Sequence, residues 1–181
     1  MRHELSGLEG YSVRGLEPSD ADALFPIKND PEMADLLRGT MRTLSRADMT
    51  AWVDLHRRAR DEAFFVIADE SDRAIGHVAL YRVDPANAMA EFGILLGDKR
   101  VWGKGVGTGA TRFMLEYGFD ELHLRRIYLE VLETNVRARS LYEKLGFVVE
   151  GRLRQHQLKN GAFLDVFVMG LFRDEYRHPS S

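Results

Sequence analysis

Apolar and polar positions along the chain fall into segments of two different periods. Tyr11 to Leu16 alternates weakly and stops at Glu17-Pro18, after which Ser19 or Asp20 offers a cap for a short helix through Ile27. A second helix is expected from Ser45, whose hydroxyl suits the free N–H groups of a first turn, with Asp48 three residues on as an approximate capping box. Met49, Trp52, Val53 and Leu55-His56 give this helix its apolar face before the charged run from Arg57 to Glu62. From Ala63 the period shortens. The stretches AFFVIAD, RAIGHVALYRV and MAEFGILLG are rich in β-branched and aromatic residues, and Glu70-Ser71-Asp72 and Asp84-Pro85-Ala86-Asn87 separate them. Connections this short predict an antiparallel meander.

A glycine-rich stretch, RVWGKGVGTGA, then leads into a helix carrying Phe113, Met114, Tyr117 and Phe119. RRIYLEVL reads as a strand with Ile127, Leu129 and Val131 on one face. Asn135 to Leu145 reads as a helix closed by Gly146, and FVVEGRL and FLDVFVMGL as two closing strands. The predicted order is β-α-α-β-β-β-α-β-α-β-β. Hairpins mixed with helical crossovers imply an α/β fold with a single mixed, largely antiparallel sheet flanked by helices.

Composition narrows the chemistry. A chain of 181 residues with five prolines and no linker-like tract is expected to form one domain over residues 1–181, its core at about 11–176. Twenty-five basic and twenty-eight acidic residues leave a net charge of −3, so no overall basic field points to a nucleic acid. No apolar run approaches the roughly 18 residues of a membrane span, and the first ten residues lack the apolar core of a signal peptide; a soluble, cytoplasmic protein is expected. Cysteine is absent, which excludes disulfides, thiolate nucleophiles and Cys-type zinc sites. The histidines lack metal-ligand spacing, so no metal is expected, and no G-x-S-x-G elbow supports a serine hydrolase.

The glycine-rich stretch carries the strongest chemical signal. Gly103, Gly105, Gly107 and Gly109 alternate among Lys99, Arg100, Lys104 and Arg112, with no acid from Lys99 to Leu115. Glycines let backbone N–H groups approach a phosphate, and a helix N-terminus adds unpaired N–H groups and a positive dipole end. The plain alternative is a flexible connection with solvated basic side chains. The P-loop pattern fails, because Gly97 and Gly103 are one residue too far apart and Gly105 follows Lys104. Gly105, Gly107 and Ala110 fit a dinucleotide G-x-G-x-x-A, with Glu130 where a ribose-binding acid belongs, but an antiparallel meander is the wrong context for that fingerprint.

Arg100, Gly103 and Gly105 also match R/Q-x-x-G-x-G/A, and ETNVRARSLYEKLGF follows about thirty residues later. With both motifs the chain, from about Tyr11 to Tyr176, resembles the GNAT superfamily of acetyl-CoA-dependent N-acetyltransferases, and WGKGVGT and GRLRQHQLKNGAFLDVFVMGL look most like its RimJ/RimL-type branch. The resemblance implies direct acetyl transfer from acetyl-CoA to a primary amine, in keeping with the absence of cysteine. The partner is then a small-molecule or peptide amine, with no nucleic acid and no membrane; a homodimer is left open.

The resemblance also implies roles. Tyr142 stands where the family has the tyrosine that protonates the departing thiolate; by spacing alone it is equally a helix tyrosine packed beside Leu141 and Leu145. Glu91 is the candidate base, directly or through water, against the alternative of a solvated strand carboxylate. Ile94, Leu95 and Leu96 correspond to the strand whose backbone binds pantetheine. Val101, Trp102, Gly103, Lys104, Gly105, Val106, Gly107 and Thr108 correspond to the pyrophosphate turn, with Arg100 reaching phosphates. Asn135 matches an asparagine that binds the pantetheine arm or a water, or it is a helix cap. The Asp30 to Ser45 loop and the last hairpin, including His156, are expected to border the acceptor. Met33, Met41 and Met49 either adapt to it or fill the core. Arg38 and Arg42 favour an anionic acceptor, while Asp30, Glu32 and Asp35 favour a polyamine. A non-catalytic CoA-binding module and a dinucleotide oxidoreductase remain the alternatives.

Overall fold

A computed structural model of the chain describes residues 2–39 and 42–176. Its strands form one eight-stranded sheet in the order β1-β2-β3-β4-β5-β6-β8-β7: β1 Arg2–Glu4, β2 Ser12–Gly15, β3 Ala63–Ala68, β4 Ala74–Asp84, β5 Met89–Leu96, β6 Arg126–Leu132, β7 Val148–Lys159 and β8 Ala162–Phe172. Every neighbouring pair is antiparallel except β5 and β6. The helices are α1 Asp20–Lys28, α2 Pro31–Leu36, α3 Arg46–Arg58, α4 Val106–Glu116 and α5 Val136–Lys144.

The expected order of elements is present, with two additions. The three-residue β1 is too short to show a period. Helix α2, inside the segment read as a loop, starts at an Asp-Pro-Glu sequence in which the Asp30 side chain accepts from the Glu32 N–H at 2.9 Å and Pro31 occupies the first turn. Ser45 and Asp48 complete the capping box of α3. Gly146, at φ 99°, ends α5: its N–H bonds the Glu143 carbonyl and that of Phe147 bonds Tyr142, a Schellman arrangement.

The sheet is covered on both faces. On one, Met114, Leu115 and Phe119 pack with Val78, Leu80, Ile127 and Leu129. On the other, Leu24, Met49 and Val53 pack over Val66, Ala68 and Ala74. Met33 and Met49 are thus buried; Met41 lies outside the described residues.

The site depends on where β5 and β6 part. They pair only at Met89–Arg126, Ala90–Ile127 and Glu91–Tyr128, whereas β5 stays paired with β4 as far as Leu96. From Phe92 onward the β6-facing edge of β5 is open. The Leu95 carbonyl lies only 2.1 Å from where a Cβ on Gly76 would stand, so Leu95 turns its main chain to β4, and strand alternation turns that of Ile94 toward the opening.

Candidate active site

The opening between β5 and β6 is a cavity of about 660 Å³, bounded by β5, the glycine-rich turn, the start of α4, α5 and the segment from Met33 to Arg38. At one end the chain passes through a single 3₁₀ turn, Lys99–Val101, and Gly103 and Gly105 take left-handed φ angles of 78° and 89°. The first hydrogen bond of α4 runs from Gly109 N–H to the Gly105 carbonyl at 2.8 Å, so the N–H groups of Val106, Gly107 and Thr108 have no partner within the helix. No acid stands in that first turn. By backbone geometry alone, these N–H groups could hold a phosphate-sized anion.

Gly103, Gly105, Gly107, Thr108, Val101 and Trp102 line the cavity, as do Ile94, Leu95 and Leu96. Three expected contributors do not. Arg100 is held at the surface by Asp98, whose two carboxylate oxygens accept at 2.9 and 2.8 Å. Lys104 is exposed, and Val106 is fully buried in the core, leaving only its backbone for a ligand. Lys99 is also spent, on Asp30 at 3.1 Å and on Glu32. Two of the four cations of that stretch, Lys99 and Arg100, are therefore neutralised, and Arg137, 4.4 Å from the centre of the Trp102 ring, lines the cavity instead. Trp102 is fixed in turn by its indole N–H donating to the Leu96 carbonyl at 2.8 Å.

Tyr142 is 7% exposed and lines the cavity between the Phe92 and Phe147 rings, whose centroids lie 5.9 and 5.8 Å away. Its packing partners are these aromatics as well as the leucines of its own helix. Burial pushes its phenol well above the ordinary tyrosine value, so it holds its proton throughout the neutral range. Asn135 is a helix cap: its carbonyl oxygen accepts from Ala138 N–H at 3.1 Å, and its amide donates to the Leu36 carbonyl at 3.0 Å, tying α5 to α2.

Glu91 sits where pairing with β6 stops and is 7% exposed, not a solvated strand carboxylate. Arg38 donates to its Oε1 at 2.8 Å and also pairs with Glu130, while Arg82 Nη1 stands 2.7 Å from Oε2, off the hydrogen-bonding direction. Arg82 reaches it because a bulge between Tyr81 and Asp84 puts residue 82 at φ 48°. Glu130, the ribose-binding acid of the dinucleotide reading, is thereby assigned to Arg38, and a sheet with one short parallel pair is not a doubly wound dinucleotide fold.

The expected acceptor segments do meet. Gln157 accepts from Gly39 N–H at 2.9 Å, and Lys159 Nζ donates to the carbonyls of Ala34 and Gly39 at 2.7 and 2.8 Å. The hairpin supports the loop without itself lining the cavity, and His156 is exposed. Arg42 bonds Asp48, away from the cavity. Among the cavity residues that sequence reasoning did not single out are Lys28, His77 and Tyr81, which belong to no motif, and Arg137, which stands within ETNVRARSLYEKLGF without an assigned role. Among the described residues no group of His, Cys, Asp or Glu is arranged to hold a metal, and no helix is long and apolar enough to cross a membrane.

Residues 12–148 match the family model of the acetyltransferase (GNAT) domain. An N-acetyltransferase named p20 from Bacillus licheniformis is 34% identical over 171 residues, covering 93% of this chain and 96% of that protein. Spermidine N(1)-acetyltransferase of Escherichia coli K12 is 34% identical over 123 residues, covering 68% of this chain and 65% of that enzyme. Among solved structures, spermidine N-acetyltransferase from Vibrio cholerae in complex with CoA and spermine superposes with a TM-score of 0.85 at 28% identity, covering 93% of this chain and 99% of that one. With the opened sheet, the glycine turn and these matches together, the chain belongs to the GNAT acetyltransferases and is an enzyme that uses acetyl-CoA.

Proposed function

We propose that the protein is a cytoplasmic single-domain enzyme that transfers an acetyl group from acetyl-CoA to a primary amine by direct attack while both substrates are bound. The observation that carries this reading is the opened edge of β5, which runs from the unpaired N–H groups of α4 to Tyr142 and Glu91 in one cavity. The cavity fits the donor in chemistry. Backbone N–H groups at 106–108 suit the pyrophosphate, with Arg137 beside them; the free main chain of Ile94 suits the amides of pantetheine; Tyr142 stands further along. Acetyl-CoA supplies the activated acyl carbon: a C–N bond forms as the C–S bond breaks, and sulfur takes a proton.

In this reading Tyr142 is that proton's source. A phenol that stays protonated through the neutral range is always ready to give it, and its acidity is matched by deletion better than by titration. Glu91 acts through a water. With Arg38 on one carboxylate oxygen and Arg82 beside the other, it is held in place, and the amine's proton leaves by way of that water. Asn135 positions α5, and so Tyr142, through its cap and its bond to Leu36.

The test is release of free thiol from acetyl-CoA across peptides, polyamines, amino sugars and amino acids, with NAD and NADP as binding controls. Acetyl-CoA-dependent turnover with at least one primary amine is expected. Stabilisation by NAD with no effect of acetyl-CoA overturns the reading.

A further inference from the structure

On the side of α1 and β4 the cavity wall holds a cation with no anion. Lys28, the last residue of α1, lines the cavity, and its ammonium lies 4.2 Å from the centre of the Trp52 ring; among the described residues it makes no ion pair or hydrogen bond. His77, on β4 opposite Leu95, also lines the cavity, is 4% exposed, and has a buried Nδ1 without a partner. The same Trp52 ring contacts both, its centroid 5.6 Å from that of His77.

The surrounding groups leave this charge unbalanced. His56 is engaged by Glu62 at 2.6 Å, and Tyr81 carries no charge. Glu91 and Glu130 are shared with Arg38 and Arg82, so neither carboxylate is left over for a cationic ligand or for Lys28. Desolvation alone lowers the Lys28 pKa, to about 8, with no carboxylate offsetting it, and His77 is held neutral by burial and by Lys28. A half-buried ammonium without a counter-charge is costly, and a buried, unpartnered imidazole beside it adds to that cost.

We infer that Lys28 and His77 form a carboxylate-binding corner of the cavity, so that one of the two substrates carries a carboxylate group in addition to the reacting amine or acyl carbon. Lys28 supplies the charge and His77 an N–H, and the bound carboxylate satisfies both. The carboxylate has two sources: an amino-acid-like acceptor, or a dicarboxylic acyl group on CoA. In the second case the transfer is the same substitution, with an amide C–N bond formed, the thioester C–S bond broken and a proton passed to sulfur. The inference rests on the acyl-transfer reading above, and it runs against carrying the spermidine acceptor of the relatives over to this chain.

Three arms test it. Acetyl-CoA is paired with amino carboxylates, with the matching amino amides and with spermidine; succinyl-CoA is paired with carboxyl-free amines; and glutarate, which has neither amine nor thioester, is titrated against thermal unfolding. Each is run on wild type and Lys28→Met, a change that keeps the length and packing of the stem. One carboxylate-bearing substrate is expected to be preferred, with its KM raised about 10- to 100-fold in Lys28→Met while kcat for carboxyl-free substrates holds. Glutarate is expected to stabilise wild type and not the variant, which reads the corner even where no turnover occurs. Equal use of carboxylates and amides with a KM indifferent to Lys28→Met, together with no glutarate effect, overturns the corner and leaves the acetyltransferase reading standing. Absence of any thiol release, with glutarate still protecting wild type alone, overturns that reading and leaves the corner.

Discussion

Tyr142 is buried and Lys28 half-buried in the cavity wall, yet desolvation acts on them in opposite senses. A tyrosine is neutral when protonated, so desolvation raises its pKa; a lysine is charged when protonated, so desolvation lowers it. Tyr142→Phe preserves the ring packed between Phe92 and Phe147 and removes only the proton. It is expected to lower kcat about 100-fold or more with acetyl-CoA affinity unchanged, which single-turnover thiol release and a binding titration will show. For Lys28 the unfolded chain binds the proton more tightly, from the ordinary 10.5 down to about 8 in the fold, so stability rises with pH across that window and the burial cost is complete below it. Lys28→Met should therefore unfold at a higher temperature than wild type at pH 7, and the gap should close between pH 8 and 10.5. The comparison must be of the two proteins at each pH, since the raised pKa values of Tyr81, Tyr142 and Tyr176 make both lose stability above pH 10.

At the level of elements, α4 packs through its body and leaves its start to the cavity. Val106, Ala110, Met114 and Leu115 are buried, while the first-turn N–H groups have no partner within the helix and Gly107 and Thr108 line the cavity. The four glycines of the turn divide their work accordingly. Gly103 and Gly105 are required for positive φ, and Gly109 leaves room for Leu8, whose Cδ1 would lie 2.8 Å from an added Cβ. Gly107 is different: an added Cβ there would meet Leu141 and Leu96 at 3.5 and 3.9 Å, ordinary contacts. Gly107→Asp should thus fold, and an acid in the first turn should even favour the helix by a few tenths of a kcal/mol, about 0.3 or more. The same carboxylate would stand where the proposed function puts the pyrophosphate, so acetyl-CoA affinity should fall about tenfold or more. Calorimetric titration beside a thermal melt separates the two effects. Helix α2 shows how an element goes unread: six residues with one buried methionine give no period, although the Asp-Pro-Glu start was a legible signal.

Across the whole molecule, the cavity draws on α1, α2, β4, β5, β6, α4 and α5, so its occupancy is felt by most of the fold. Acetyl-CoA at a hundred times its Kd should raise the stability of the native state by about 2.7 kcal/mol, read as an upward shift of a single melting transition; a shift confined to part of the signal would show that the two cores unfold separately. The strand periods, the capping box at Ser45, the glycine stop at 146 and the glycine turn before α4 were all determined by the sequence itself, because each rests on interactions between residues close along the chain. What tertiary structure alone decided is the partnering of charges and the parting of β5 from β6. Glu91 is shared by Arg38 and Arg82, and Lys28 is left alone beside His77, outcomes set by residues up to tens of positions apart whose approach no local pattern encodes. Local order needs only neighbours and is written in the period of the chain; the balance of charge in a cavity depends on which distant side chains the sheet brings to one place, and there the chemistry of the acceptor is decided.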